Sequence, residues 1–96
     1  MPEERLDQLL RSIAANVRRL RRRRGLTQER LAERAGIDLS YLQRVERAGV
    51  NLSMSKLLQV ADAFGIPPGL LLRKAQLPPL RRGRPPKRAT AAQRPR

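Results

Sequence analysis

The side chains of this sequence that could do chemistry are mostly cationic. Among 96 residues there are 22 Lys and Arg against 8 Asp and Glu, which gives a formal net charge of +14. Seven of the basic residues and none of the acidic ones fall in positions 76–96, so this part carries +7. The remaining 15 basic and 8 acidic residues give positions 1–75 a charge of +7 as well. Both parts should attract polyanions, and nucleic acid above all.

Covalent chemistry has few candidate residues here. The chain holds no His and no Cys, so the usual general base and the usual zinc ligands are missing. Ser40, Ser53 and Ser55 lack a neighbouring base that would activate a hydroxyl nucleophile. The acidic residues are scattered singly, without the pairing that acid–base or metal chemistry needs. We therefore predict no enzymatic activity, no catalytic residue, no metal site and no cofactor.

Membrane insertion and export are also disfavoured. No run of about 20 apolar residues is present to cross a bilayer, and the basic C-terminal part lacks the apolar face of an interfacial helix. The first residues, Met1 to Glu4, are acidic and lead into an amphipathic helix rather than an apolar signal core. We expect a cytoplasmic, nucleoid-associated protein with no membrane partner.

Apolar residues recur every three or four positions near the start of the chain, which predicts a first helix that ends at Gly25. They are Leu6, Leu9, Leu10, Ile13, Val17 and Leu20. Six arginines lie between positions 18 and 24, on the last turns of this helix. Two interpretations of them stay open: a solvated face that matches the helix dipole, or direct contact with a phosphate backbone.

Two short helices follow, joined by a glycine turn. Thr27 is predicted to cap the second helix, and Gly36 to end it. Asp38 offers a carboxylate to the opening amides of the third helix, whose Leu42 and Val45 point inward. The opposite side of the third helix carries hydrogen-bonding side chains, namely Ser40, Tyr41, Gln43, Arg44 and Arg47. Such a pair of helices is suited to the DNA major groove.

The rest of the chain predicts two more helices and a tail. Ser53 caps a fourth helix that ends at Gly65, with a buried stripe formed by Met54, Leu57, Leu58, Ala61 and Phe64. Pro67 and Pro68 begin a short fifth helix through Leu72. Periodicity then stops, so we predict a folded domain at 5–74 and a disordered basic tail at 75–96.

A set of spaced residues extends from the second helix into the fourth. It comprises Gly25 to Glu29, Leu31-Ala32, Ala35-Gly36, Tyr41-Leu42, Val45-Glu46, Asn51 and Leu57-Leu58. With these residues, positions 13–72 closely resemble the Xre-type (Cro and phage-repressor-like) helix-turn-helix family. The resemblance implies an all-α, five-helix, lambda-repressor-like bundle that binds double-stranded operator DNA as a homodimer. The Asn51-Leu52-Ser53 segment is similar to that of controller proteins from restriction-modification systems.

The resemblance also implies which residues contact bases in the major groove. They are Leu39, Ser40, Tyr41, Gln43 and Arg44. Arg44 is the first choice, because its guanidinium can bond a guanine through two donors. Leu39 suits a thymine methyl group, and Tyr41 could lie against the backbone instead. For Gln43, contact with adenine and simple exposure to solvent both stay open.

Other residues of the matching pattern are implied to contact phosphates or to hold the fold. The phosphate contacts are Thr27, Gln28, Arg47 and Asn51. Arg21 is expected to pair with Glu46 and so to orient the first helix against the third. The chain departs from the family at Ala48, where glycine is usual, and at Leu52, where proline is frequent. We expect Gly49 to take over the turn.

The tail contains a second candidate DNA-binding segment. Positions 81–88 (RRGRPPKR) resemble an AT-hook, whose centre, Arg82-Gly83-Arg84-Pro85, would lie in the minor groove of A·T-rich DNA. A basic, proline-rich tail could also produce this tetrapeptide by chance.

Three functional hypotheses result. The first is a sequence-specific transcriptional regulator, a repressor, that contacts the major groove with the helix from Asp38 to Arg47. The second is a nucleoid or architectural protein with little sequence preference. The third is an antitoxin-like regulator that also holds a protein partner through Leu70 to Leu72.

Overall fold

The computed structural model describes residues 2–74, which form five α-helices and no strand. In chain order these are α1 (Pro2–Arg23), α2 (Gln28–Ala35), α3 (Leu39–Glu46), α4 (Met54–Phe64) and α5 (Gly69–Leu72). The all-α, five-helix prediction is thus confirmed. Within the described range no helix is both long and apolar enough to span a bilayer. The predicted tail and its motif at 81–88 lie outside the described residues.

Local signals set most helix ends as predicted. The Thr27 hydroxyl accepts a hydrogen bond from the Arg30 amide at 3.0 Å, and the Ser53 hydroxyl accepts one from the Lys56 amide at 3.2 Å. Gly36 and Gly65 adopt left-handed φ values of +72° and +70° and end α2 and α4. These positions favour glycine because it has no Cβ to clash.

The cap predicted at Asp38 is wrong in one respect. Asp38 occupies the N-cap position of α3, but its side chain makes no capping hydrogen bond. The residue is exposed, so its carboxylate is accessible to solvent. The main chain begins the helix, since the Leu42 amide donates to the Asp38 carbonyl at 3.0 Å.

The turn after α3 also differs from the prediction. Ala48, not Gly49, adopts the left-handed conformation, with φ of +57°. Because α3 ends at Glu46 and Arg47 is its C-cap, the residue that must reverse the chain falls on Ala48. Gly49 instead donates its amide to the Arg44 carbonyl at 2.8 Å.

All five helices contribute to one hydrophobic core. The largest fully buried side chains are Val17, Leu31, Leu42, Val45, Val60 and Leu71. α1 packs against α3 and α5, while α2 packs against α3 and α4. Ala32 of α2 is also buried, at 4% exposed.

The buried stripe predicted for α4 is wrong at two positions, and the apolar stripe of α1 is buried only in part. On α1, Leu6 and Leu9 are 37% and 40% exposed, and burial begins only at Leu10. On α4, Met54 and Leu58 are 76% and 46% exposed. The first two turns of α1 and the first turn of α4 lie at the rim of the bundle, and Leu58 is turned about 100° from Leu57.

The joint between α1 and α5 depends on a polar residue that the sequence did not reveal. Asn16 is 2% exposed, and its amide donates to the carbonyls of Leu71 at 2.9 Å and Arg73 at 3.0 Å. Leu71 is fully buried, whereas Leu70 and Leu72 are 38% and 36% exposed. The segment from Leu70 to Leu72 is therefore not an exposed apolar surface throughout.

Candidate nucleic-acid interface

The accessible side of α3 is formed by Ser40, Arg44 and Arg47, all exposed. The opposite side is buried through Leu42 and Val45. Since a helix turns about 100° per residue, the three polar residues share one direction and stand away from the core. We call Ser40, Arg44 and Arg47 the outward face of α3.

A buried ion pair sets the position of α3 relative to α1. Arg21 Nε lies 2.7 Å from Glu46 Oε2, and Arg21 Nη2 donates to Glu46 Oε1 at 3.1 Å. Glu46 is 3% exposed, so the two parallel bonds compensate a carboxylate removed from water. Arg18 adds a bond to the Glu46 carbonyl. The pair expected between Arg21 and Glu46 is present.

One flank of α3 is held by two glutamines. The Gln28 amide donates to Glu46 Oε1 at 3.0 Å, and its oxygen accepts from Gln43 Nε2 at 3.4 Å. These bonds connect the start of α2 to two positions on α3. Gln43 is therefore tied to α2 and half-buried, rather than free in solvent.

The other flank of α3 carries an aromatic ring that two cations approach. Arg44 Cζ lies 5.7 Å from the centroid of the Tyr41 ring, and Lys56 Nζ lies 5.8 Å from the same centroid. Both distances fall within the range of cation–π attraction. The spacing of Tyr41 and Arg44 could have revealed the first contact. Lys56 comes from α4, and no sequence signal pointed to it.

The other predicted DNA contacts lie at different places on the surface. Leu39 is half-buried and packs against the core. Thr27 is exposed, with its oxygen used as the cap of α2. Asn51 is exposed in the segment between α3 and α4. Arg82, Gly83, Arg84 and Pro85 lie outside the described residues.

The arginines at the end of α1 do not all have the same role. Some of them bond other parts of the fold, and others are exposed. Arg18 and Arg21 bond Glu46, and Arg24 donates to the Phe64 carbonyl at 2.9 Å. Arg22 and Arg23 are exposed. Part of this cluster is therefore structural, and part of it is available to a ligand.

Together, the bundle and the outward face of α3 define a DNA-binding domain of the helix-turn-helix class. Residues 17–71 match the Helix-turn-helix family, and the chain belongs to that family.

Three proteins that are similar to this chain illustrate its membership of the family. The chain is 42% identical over 55 residues to the immunity repressor protein of Bacillus phage phi105, spanning 57% of this chain but only 38% of that protein. The crystal structure of the restriction-modification controller protein C.AhdI from Aeromonas hydrophila is similar, with 40% identity and a TM-score of 0.63. That match covers 65% of this chain and 94% of the controller protein.

The hypothetical transcription factor NHTF from Neisseria is similar over 74% of this chain and 82% of its own, with 34% identity and a TM-score of 0.69. The structural matches to this protein and to C.AhdI extend over most of the described bundle. The protein is thus a helix-turn-helix transcriptional regulator.

Proposed function

We propose that this regulator is a repressor that binds operator DNA as a homodimer and places α3 of each protomer in the major groove. The observation that carries the proposal is the outward face of α3, which is exposed while both flanks of the helix are held. Two such helices would occupy half-sites about 34 Å apart, or a multiple of that distance. A domain of roughly 70 residues buries a limited surface, so pairing also favours its stability.

Arg44 is proposed as the main base-contacting residue. Its guanidinium is exposed and lies beside the Tyr41 ring, which limits its conformational freedom. Two donors of one guanidinium match the O6 and N7 atoms of guanine. Ser40 lies one turn earlier on the same face, and Leu39, Tyr41 and Gln43 border it.

Phosphate contacts are proposed for Thr27, Gln28, Arg47 and Asn51. The first two lie at the start of α2, where amide groups and the helix dipole favour an anion. Arg47 ends the outward face of α3, and Asn51 lies in the following loop. Such contacts would fix the register of the protein on the duplex.

The tail is proposed to add non-specific or A·T-biased affinity to the base contacts made by α3. Its seven basic residues would release counterions from DNA, and the Arg82 to Pro85 segment would prefer a narrow A·T-rich minor groove. A cytoplasmic, nucleoid-bound location accompanies this role.

Selection of bound sequences from a random DNA pool tests the proposal. We expect a palindromic motif with two half-sites and A·T bias at its edges. In Arg44→Ala, preference at one position per half-site should relax, at a cost of about 1–3 kcal/mol. Arg34→Ala, which removes an exposed arginine from α2, is the matched control and should leave the motif unchanged.

Competition with random duplex separates this function from an architectural role. A specific complex should survive a large excess of random DNA. If the excess removes all binding, or if selection yields no motif, the protein is an architectural DNA-binding protein instead.

A further inference from the structure

An open, positively charged pocket lies between α1, α2 and α3. Its volume is about 640 Å³, and four arginines, two glutamines and Glu46 line it. Four cations against one carboxylate leave a formal charge of +3 on the lining. We call it the arginine pocket.

Two of these arginines are occupied by the fold itself. Arg21 pairs with the Glu46 carboxylate, and Arg18 donates to the Glu46 carbonyl. The negative charge of Glu46 is thus already compensated inside the protein. The surplus of +3 is carried by Arg18, Arg22 and Arg47, and of these only Arg18 is held by a hydrogen bond within the described residues, to the neutral Glu46 carbonyl.

Arg22 and Arg47 are available for a ligand. Both are exposed, and within residues 2–74 their side chains take part in no hydrogen bond or ion pair. They approach the pocket from different helices, α1 and the end of α3. Two unpaired guanidinium groups around one cavity match the several oxygens of a phosphate group.

The two glutamines add neutral hydrogen-bonding groups to the same pocket. Gln28 uses one amide N–H on Glu46 and its oxygen on Gln43, which leaves its second N–H for the phosphate contact proposed above. Gln43 uses one amide N–H in that contact, which leaves a second N–H as a possible donor. A lining of this kind favours a polar anion over an apolar ligand.

The position of the arginine pocket indicates where such an anion would come from. Gln43 and Arg47 are one helical turn apart, and Arg47 also belongs to the outward face of α3. When a helix lies in the major groove, the sugar–phosphate backbone borders it on either side. The pocket therefore opens where the backbone of a bound duplex would lie.

We propose that the arginine pocket binds one backbone phosphate of the operator duplex, with Arg22 and Arg47 as its ligands. The inference rests on the docking of α3 proposed above, and it singles out Arg22 from the six arginines between positions 18 and 24 for which the sequence left phosphate contact open. The bond is ionic and independent of base identity, so it contributes to affinity rather than to sequence preference.

The test compares Arg22→Gln with Arg23→Gln in the full-length protein. The two variants remove the same charge from adjacent exposed residues of α1, but only Arg22 lines the pocket. Binding to operator and to random duplex is titrated at several salt concentrations. We expect Arg22→Gln to weaken binding to both duplexes by a similar factor, on the order of tenfold. The slope of log K against log[salt] should become shallower by about 0.9.

Arg23→Gln should change the salt slope by much less, since Arg23 contributes only to the general field. If the two variants behave alike, the pocket holds no phosphate and the inference is overturned. If selection yields no motif but Arg22→Gln still differs from Arg23→Gln on random duplex, the phosphate site stands while the operator-binding proposal fails.

The arginine pocket could instead bind a free anion, since inorganic phosphate presents the same oxygen atoms as a backbone phosphate of DNA. Thermal unfolding is measured in millimolar inorganic phosphate and in chloride at equal ionic strength. We expect no difference between wild type and Arg22→Gln in this comparison. Stabilisation of wild type alone, together with equal DNA salt slopes for Arg22→Gln and Arg23→Gln, would mean that the pocket binds a free anion rather than DNA.

Discussion

Glu46 connects α3 to α1 and α2 through buried side-chain contacts. Its side chain is 3% exposed and accepts bonds from Arg21 on α1 and Gln28 on α2. A buried carboxylate is tolerated only when its charge is compensated, so the three residues must be present together. The orientation of α3 therefore follows from a small number of side-chain contacts.

Removal of Arg21 should show this dependence. Arg21→Ala leaves the Glu46 carboxylate buried without its ionic partner, and we expect the free energy of unfolding to fall by about 3 kcal/mol. Urea denaturation followed by circular dichroism measures the change. Arg22→Ala is the control and should alter stability by less than about 0.5 kcal/mol. Equal losses in the two variants would contradict the role of the pair.

Ala48 is the one described non-glycine residue with positive φ. A left-handed alanine is strained by roughly 1 kcal/mol, and glycine would remove the strain but increase the entropy of the unfolded chain. We expect Ala48→Gly to stabilise the protein by about 0.5 kcal/mol or slightly more in thermal or urea unfolding. Ala63→Gly, inside α4, should instead destabilise it by roughly 0.5–1 kcal/mol. Destabilisation by both substitutions would show that the turn is not strained.

The Tyr41 ring should position Arg44 through its face rather than its hydroxyl. Tyr41→Leu removes the ring, and we expect weaker discrimination at the base contacted by Arg44, by about 0.5–1 kcal/mol. Tyr41→Phe keeps the ring and should preserve the discrimination. Competition between operator variants measures both. An equal loss in Tyr41→Phe would indicate that the hydroxyl makes the important contact.

At the scale of elements, α1 has two parts with different roles. Its C-terminal half contacts α3 through Arg18 and Arg21, and α5 through Asn16. Its first turns extend past these contacts, which is why Leu6 and Leu9 remain partly exposed. α1 thus joins α3 to α5 at the end of the bundle.

The joint between α1 and α5 gives a prediction at this scale. Asn16→Ala leaves the carbonyls of Leu71 and Arg73 without their side-chain donor, one of them buried. We expect a loss of about 1–3 kcal/mol in the free energy of unfolding. Gln8→Ala, on an exposed turn of α1, should have little effect. Similar unfolding midpoints for the two variants would show that water satisfies these carbonyls.

At the scale of the whole molecule, the charge divides equally between positions 1–75 and 76–96, at +7 each. In the described part, several arginines are used to hold helices together. None of the charge in positions 76–96 is balanced by acidic residues of the same segment. The long-range attraction to DNA should therefore depend strongly on that segment.

Deletion of residues 76–96 should flatten the salt dependence of DNA binding, because fewer counterions are released. Titrations at several salt concentrations, with the full chain and the truncated one, measure the slope. A full-length variant with Arg82→Gln and Arg84→Gln is the matched control for the AT-hook-like motif. It should lose A·T bias at the operator edges while keeping most of the slope. The same slope with and without residues 76–96 would rule out this role for the tail.

Sequence alone determined the helices, the family and the accessible side of α3. The signals responsible are local: Thr27 and Ser53 bond amides three residues ahead, and Gly36 and Gly65 permit a left-handed turn at their own positions. Such signals act within one turn of the chain, so they can be recognised without knowledge of how the helices pack.

The tertiary structure decided the separate roles of residues that are chemically alike. Arg21 and Arg22 are adjacent and chemically identical, yet one is paired with a buried carboxylate and the other is exposed. The contact of Lys56 with Tyr41 and the burial of Asn16 likewise join helices that are distant in sequence. These outcomes depend on the angles and rotations at which the helices cross, which are set by the packing of the whole core and not by any single segment.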